Sequence, residues 1–307
     1  MLGKKPGAKR RLRNTILLII LHNCLIRPLA GLASILLYLA TTYAVAMRGR
    51  SMAENGGTIQ RTALMFAGPL ALLLIWYLVF LGGLVTPKLL PSPFRTIEAV
   101  WENTLTGGLS ADFWQTLVRT LRAFAIAALF GIPLGIVIGS SVNFYRSIEF
   151  LIDFFRSTPA TAMFPLFMII FGLGDFSKIA VAAFACWLVI LFNVAYGVMN
   201  SRPTRLMAAR VMGASRVQIF KDVLIYECLP QTFVGLRTAV SLALVVIVVA
   251  EMFIGSDNGL GKRIIDSQIT FDLPQLYGTI LVTGVLGYGL NLFFLMLEKW
   301  LIHWAGR

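Results

Sequence analysis

The chain has 307 residues, 58% of them hydrophobic and only 13% charged, with a mean hydropathy of +0.80. A soluble domain carries about a quarter charged residues, so these proportions exclude one, and apolar runs that are continuous rather than alternating argue against a β-barrel. The net charge of +13 does not indicate nucleic acid: six positive residues crowd into the first thirteen positions (Lys4, Lys5, Lys9, Arg10, Arg11, Arg13) and others flank apolar runs. That is the pattern of the positive-inside rule and of contact with anionic lipid.

The first 51 residues form a basic and apolar N-terminal extension. Thr15–Met47 is about 33 mostly apolar residues interrupted by Arg27-Pro28, long for one span and short for two. Basic residues on both flanks (the N-terminal cluster, then Arg48, Arg50 and Arg61) favour an interfacial helix or a re-entrant hairpin over one extra span. A cleaved signal peptide ending near Ala44-Val45-Ala46 fits poorly, because Arg27 breaks its apolar region. A functional start at Met52 is the other alternative, which makes 52–307 the transmembrane domain.

Runs of about 20 apolar residues can cross a bilayer core of about 30 Å. Six conventional spans are predicted: Thr62–Val85, Thr116–Ser141, Phe150–Phe171, Phe176–Met199, Gln231–Ile254 and Leu276–Trp300. Thr86–Ala111 reads as a polar outer loop, and so does Gly255–Pro274. Gly131, Gly135 and Gly139 repeat a GxxxG spacing, which permits close packing of membrane helices. Arg156, Pro159 and Pro165 break the third run, so a bent or discontinuous element is expected there. Cys24, Cys186, Cys228, His22 and His303 share no metal or redox spacing.

The longest polar interruption in the second half is Arg202–Pro230, with five basic residues (Arg202, Arg205, Arg210, Arg216, Lys221) against Asp222 and Glu227. Leu206, Met207, Arg210, Val211 and Ala214 fall at helical spacing. Gly213 offers a left-handed break. Ser215 with Gln218 has the form of a capping box that opens a second helix through Val217, Ile219, Phe220 and Val223, and Pro230 is expected to end the segment. Six spans place this segment and both termini on the cytoplasmic side.

The residues 208–215, Ala-Ala-Arg-Val-Met-Gly-Ala-Ser, resemble the EAA loop of ABC importer permeases, the inner membrane components of binding-protein-dependent transport systems. The wider pattern is similar to the nitrate/sulfonate/taurine/bicarbonate branch. Leu89-Leu90-Pro91-Ser92-Pro93, Leu117 with Arg119, Gly131-Ile132-Pro133-Leu134-Gly135 and Arg156-Ser157-Thr158-Pro159 follow in that branch's order. Phe171–Lys178, Gly235-Leu236-Arg237, Ala250-Glu251-Met252 and Gly259-Leu260-Gly261 complete the series. Two positions depart from the family: Met207 stands where it usually has Glu, and Tyr226 where it usually has Pro.

The resemblance implies an all-α polytopic protein of the bacterial-type inner membrane, a six-span type I ABC importer permease core. It implies that Met207, Ala208, Ala209, Gly213, Ala214, Ser215, Val217 and Phe220 contact a cytoplasmic ATPase. It also implies an extracytoplasmic solute-binding protein and a homodimer, or a heterodimer with a sister permease. The chain has no GxxxxGK[ST] sequence, so ATP and magnesium are expected on the partner ATPase, with no cofactor and no metal in this chain. Arg156, Pro159, Arg237 and Glu251 are candidates for the translocation path or for structural ion pairs. A basic amphipathic helix lying on lipid competes with docking for the 202–230 segment. A secondary transporter or channel and an intramembrane enzyme are the readings from other classes. The first predicts an inverted repeat and the second convergent catalytic groups, and the sequence shows neither.

Overall fold

The structure, a computed structural model, describes residues 58–83, 85–86 and 88–302. The expected extension over residues 1–51, with His22 and Cys24, lies outside the described residues, as does His303. Contacts divide the chain into Met1–Ile75 and Trp76–Arg307. The described part of the first unit, residues 58–75, belongs to helix α1 (Thr58–Leu81).

The regular structure of the described residues is all helical, with no strand among them. After α1 come α2 (Pro93–Leu105), α3 (Leu109–Gly139), α4 (Val142–Ser157), a 3-10 turn (Ala160–Met163) and α5 (Phe164–Phe171). Next are α6 (Asp175–Met199), α7 (Pro203–Val211) and α8 (Arg216–Gln218). The π-helical turn Ile219–Leu224 leads into α9 (Ile225–Phe253), and α10 (Leu260–Ile269) and α11 (Leu273–Leu301) complete the series.

Among the described residues, four helices are long and apolar enough to cross a membrane: Leu109–Gly139, Asp175–Met199, Ile219–Phe253 and Leu273–Leu301. The pair α4 and α5 is apolar enough to join them but is bent by 89° where Thr158 and Pro159 interrupt the helix, the form of a broken span or a re-entrant loop. This is the break that the prolines in that run predict. α1 runs for 24 residues, and the apolar stretch among its described side chains is Ala67–Leu81.

Three helices make the centre. The small residues of α3 face α6 at near contact: a Cβ built on Gly131 would lie 3.0 Å from Ile190, and one on Gly135 would lie 2.7 Å from Val194. On Gly139 it would lie 2.6 Å from the Ala195 carbonyl. The GxxxG spacing is therefore a packing stripe, and it draws α3 and α6 together in parallel. α9 runs antiparallel to α6, with Gly235 against Asn193 and the Cys186 thiol donating to the Ala239 carbonyl at 3.1 Å. Ala123, Val181, Ala182, Ile247 and Ala250 fill the space between them, almost wholly buried. α11 closes the other flank, packing Leu286 and Leu290 in one cluster with Val240 and Leu244 of α9, while Phe294 meets Phe124 of α3 edge to face at 4.9 Å.

Three local expectations need correction. The stretch 86–111 is not simply a loop, because α2 occupies thirteen of its residues, started by Ser92, whose hydroxyl accepts from the Arg95 amide. The stretch 255–274 likewise holds α10. Both helices are short and poorly apolar, so hydropathy missed them. Pro230 does not end a helix; it lies inside α9. A membrane helix tolerates a proline where neighbouring groups satisfy the backbone.

Candidate functional site

At the end of the bundle away from residues 202–230, charged side chains from three helices, α3, α6 and α9, meet. Glu251, near the end of α9, has no solvent exposure. Its carboxylate accepts from Arg119 Nη1 at 2.7 Å, from the Thr116 hydroxyl at 2.9 and 3.0 Å, and from the Gly261 amide at 3.0 Å. Arg119, itself buried, also reaches Asp175 Oδ1 at 2.9 Å and the Asn258 carbonyl at 2.7 Å. Lys178, 2% exposed, donates to Asp175 at 3.3 Å and to the Ser256 hydroxyl at 2.9 Å. Charges this deep persist because each one is paired and hydrogen-bonded.

The glycines beside this cluster have a steric role. A Cβ on Gly259, whose φ is +133°, would lie 2.6 Å from the Glu251 carboxylate oxygens. One on Gly261 would lie 2.7 Å from the Glu251 Cβ. The Gly-Leu-Gly sequence thus lets backbone pass directly over a buried carboxylate, while Leu260 plugs the core beside it. A second tie is Asp112, which accepts from the Gly259 amide at 2.8 Å and from Arg263 Nε at 2.7 Å. Leu117-x-Arg119, Asp175–Lys178, Glu251 and Gly259–Gly261 are scattered over some 140 residues of chain, and they converge on one buried network. Sequence reasoning singled out Glu251 but not Arg119, Thr116, Asp175 or Lys178 as its partners. The available signal was that all but Thr116 lie in the ordered motifs.

At the opposite end, the 202–230 segment forms the expected helix–turn–helix. α7 closes in a Schellman motif: the Gly213 amide donates to the Arg210 carbonyl and the Ala214 amide to the Ala209 carbonyl, both at 3.0 Å. Gly213 has φ +80°, the left-handed conformation such a stop requires. The capping box is reciprocal: the Ser215 amide donates to Gln218 Oε1 at 2.8 Å and the Gln218 amide to Ser215 Oγ at 3.3 Å. Arg205 on α7 is ion-paired with Glu227 on α9, which fixes the turn to the bundle.

The periodic apolar residues of this segment point outward. Met207, Val211, Met212 and Val217 are all more than 60% exposed, Phe220 is 38% exposed and Ala208 is exposed. Ala209 is the buried contact, and Ala214 is half-buried. The tip residues Val211 and Met212 are the most exposed of the apolar set and are absent from the sequence-derived contact list. An exposed apolar patch on a stiff, doubly capped turn has the form of a docking surface.

The remaining candidates lie elsewhere. Arg156 ends α4 at the bend, pairs with Asp153 at 3.6 Å and lies 4.4 Å above the Phe192 ring. Pro159 sets the start of the 3-10 turn beyond it. Arg237 pairs with Glu298 of α11 at 3.6 Å, both partly exposed. These residues are not brought together with Glu251.

Comparison with known proteins resolves what kind of molecule this is. Residues 131–305, more than half of the chain, match the family described as binding-protein-dependent transport system inner membrane component. The chain belongs to this family. Among relatives of the permease, the taurine transport system permease protein TauC of Escherichia coli (strain K12) is 31% identical over 257 residues, covering 81% of this chain and 92% of the relative. A probable ABC transporter permease of Brucella abortus (strain 2308) is 31% identical over 76% of this chain and 91% of its own length. The bicarbonate transport permease CmpB of Synechococcus elongatus is 30% identical over 78% and 89%. The fold is similar to that in inward-facing conformations of the MetNI methionine ABC transporter, with a TM-score of 0.57 at 19% identity, covering 64% of this chain and 97% of that one. The permease is thus an inner membrane component of an ABC importer, which sets aside the channel, secondary-transporter and enzyme readings.

Proposed function

We propose that this permease forms half of a translocation path for a small oxyanion and takes its power stroke through residues 202–230. The observation that carries the coupling role is the rigid tip of that segment. Met207, Val211, Met212 and Val217 project from a turn locked by a Schellman motif, a reciprocal capping box and the Arg205–Glu227 pair. Transmission between subunits needs stiff packed contacts. A partner ATPase binding ATP and magnesium supplies the hydrolysis, and an external binding protein supplies the solute. Two copies of the permease, or this chain with a sister permease, complete the path. Closure of the ATPases draws the two tips together and opens the path outward, and hydrolysis resets it.

The oxyanion class is supported by the relatives, which are named as permeases for taurine, aliphatic sulfonates, bicarbonate and nitrate. Met207 in place of the usual Glu leaves the helix intact, and the Arg205–Glu227 pair supplies a tie between the two arms of the turn. Tyr226, in place of the usual Pro, lies next to that pair in the first turn of α9.

The decisive experiment is Gly213→Arg in the assembled transporter. Nothing lies within 4 Å of a Cβ at Gly213, so the side chain finds room and the folding cost is the left-handed backbone alone, about 1–2 kcal/mol. The variant should insert at normal levels and lose uptake and transport-stimulated ATP hydrolysis. Normal uptake by an inserted variant refutes the docking role.

A further inference from the structure

The recess beside α2 is a second, unassigned site. It encloses about 680 Å³ at the end of the bundle opposite residues 202–230. Phe80, Phe271, Leu273 and Pro274 form apolar walls, and Lys88 and Arg95 line the same space. Phe80 is one residue from the end of α1 and Leu273 is the first residue of α11, so the recess lies where two apolar helices end. That is the depth of a headgroup boundary.

Both cations are available. Neither side chain has an ion pair or hydrogen bond among the described residues, although Glu98 follows Arg95 by one turn. The loop that carries Lys88 is held in place, because Trp76 Nε1 donates to the Pro91 carbonyl at 3.1 Å. Phe271 holds an exposed ring at the rim from a backbone with φ +59°, a conformation unusual for a bulky residue.

α2 itself is built to lie in an interface. Its inner face packs on α11, where the Val100 side chain would be 2.7 Å from a Cβ on Gly278. Its outer face carries Phe94, Ile97, Trp101 and Leu105 at helical spacing, each at least 60% exposed. A short helix with an apolar outer stripe, an interfacial tryptophan and adjacent basic residues rests on the acyl–headgroup boundary.

We propose that this recess binds an anionic phospholipid, with the phosphate between Lys88 and Arg95 and the upper acyl chain along Phe80, Phe271 and the α2 stripe. Two unpaired cations above an apolar wall match a headgroup joined to a hydrocarbon chain. A free anion would satisfy the cations and leave the apolar walls unused. The site is independent of the coupling role of residues 202–230.

The test uses the full-length permease in nanodiscs of phosphatidylcholine with a minority of phosphatidylglycerol. Lipid retained after gentle detergent extraction is counted by native mass spectrometry. Each basic residue near an anionic surface contributes about fivefold, so Lys88→Gln/Arg95→Gln should lower the phosphatidylglycerol preference on the order of thirtyfold. Both residues are exposed, so the variant should fold, and its size-exclusion profile is the check. The control Arg146→Gln/Lys299→Gln, which removes the same charge from other sites, should leave the preference unchanged. Three results overturn the proposal: an unchanged preference in the first variant, an equal loss in the control, or displacement of the lipid by millimolar glycerol phosphate. The last would assign the recess to a free anion.

Discussion

The Glu251–Arg119 pair makes the sharpest prediction, because its two members are 132 residues apart and each is buried. Replacing Glu251 with Met removes the acceptor of Thr116, Arg119 and the Gly261 amide together. Breaking one side of a buried, hydrogen-bonded pair costs about 3–5 kcal/mol, since the remaining charge has neither partner nor water. Arg119 keeps Asp175 at 2.9 Å, a partly exposed carboxylate, which places Glu251→Met near the lower end of that range. Arg119→Met leaves a fully buried carboxylate with only neutral donors and belongs near the upper end. The double variant removes both charges, and apolar replacement of an entire buried pair is often neutral. It should therefore be more stable than either single variant, which with single losses near 3 and 5 kcal/mol makes the coupling in the double-mutant cycle at least about 5 kcal/mol. Unfolding in mixed micelles, followed by tryptophan fluorescence, measures all three. Additive losses, or single variants that cost under about 1 kcal/mol, would refute the network as the element that ties α3 to α9.

Other outcomes are specific enough to check. Gly135→Val should overpack the α3–α6 contact, where Val194 and the Leu191 carbonyl already lie within 2.8 Å of a Cβ position. Its cost of about 1–3 kcal/mol should appear as a lowered melting temperature. Ser215→Ala removes the side-chain half of the capping box, so hydrogen exchange at the Gln218 amide should accelerate at an expense of about 1 kcal/mol. Arg156→Gln keeps a polar side chain but removes the charge above Phe192. Lower uptake at normal expression places Arg156 on the path, and a fall in expression alone makes it a structural residue.

Much of this molecule was legible along the chain because the physics involved is local. Continuous apolar runs identify a membrane protein, since nothing else stabilises them. The turn at Gly213 and the box of Ser215 with Gln218 are set by hydrogen bonds that reach three to five residues, and the structure holds them as the sequence predicts. The glycine spacing in α3 announced a close contact but not its partner; α6 appears only once the chain has folded. Short helices such as α2 and α10 were invisible to hydropathy because α11 and the buried cluster, not their own composition, hold them.

The convergence of Thr116, Arg119, Asp175, Lys178 and Glu251 belongs to the tertiary structure alone. A charged residue in a span reads the same whether it faces water, lipid or a counter-ion, and only the folded neighbours decide which. The outward aim of Met207, Val211 and Met212 is of the same kind. Their periodicity predicts an amphipathic helix, but the direction of its apolar face is set by where Ala209 packs and Arg205 pairs with Glu227. Sequence determined that these residues share a face; packing decided that the face is left exposed.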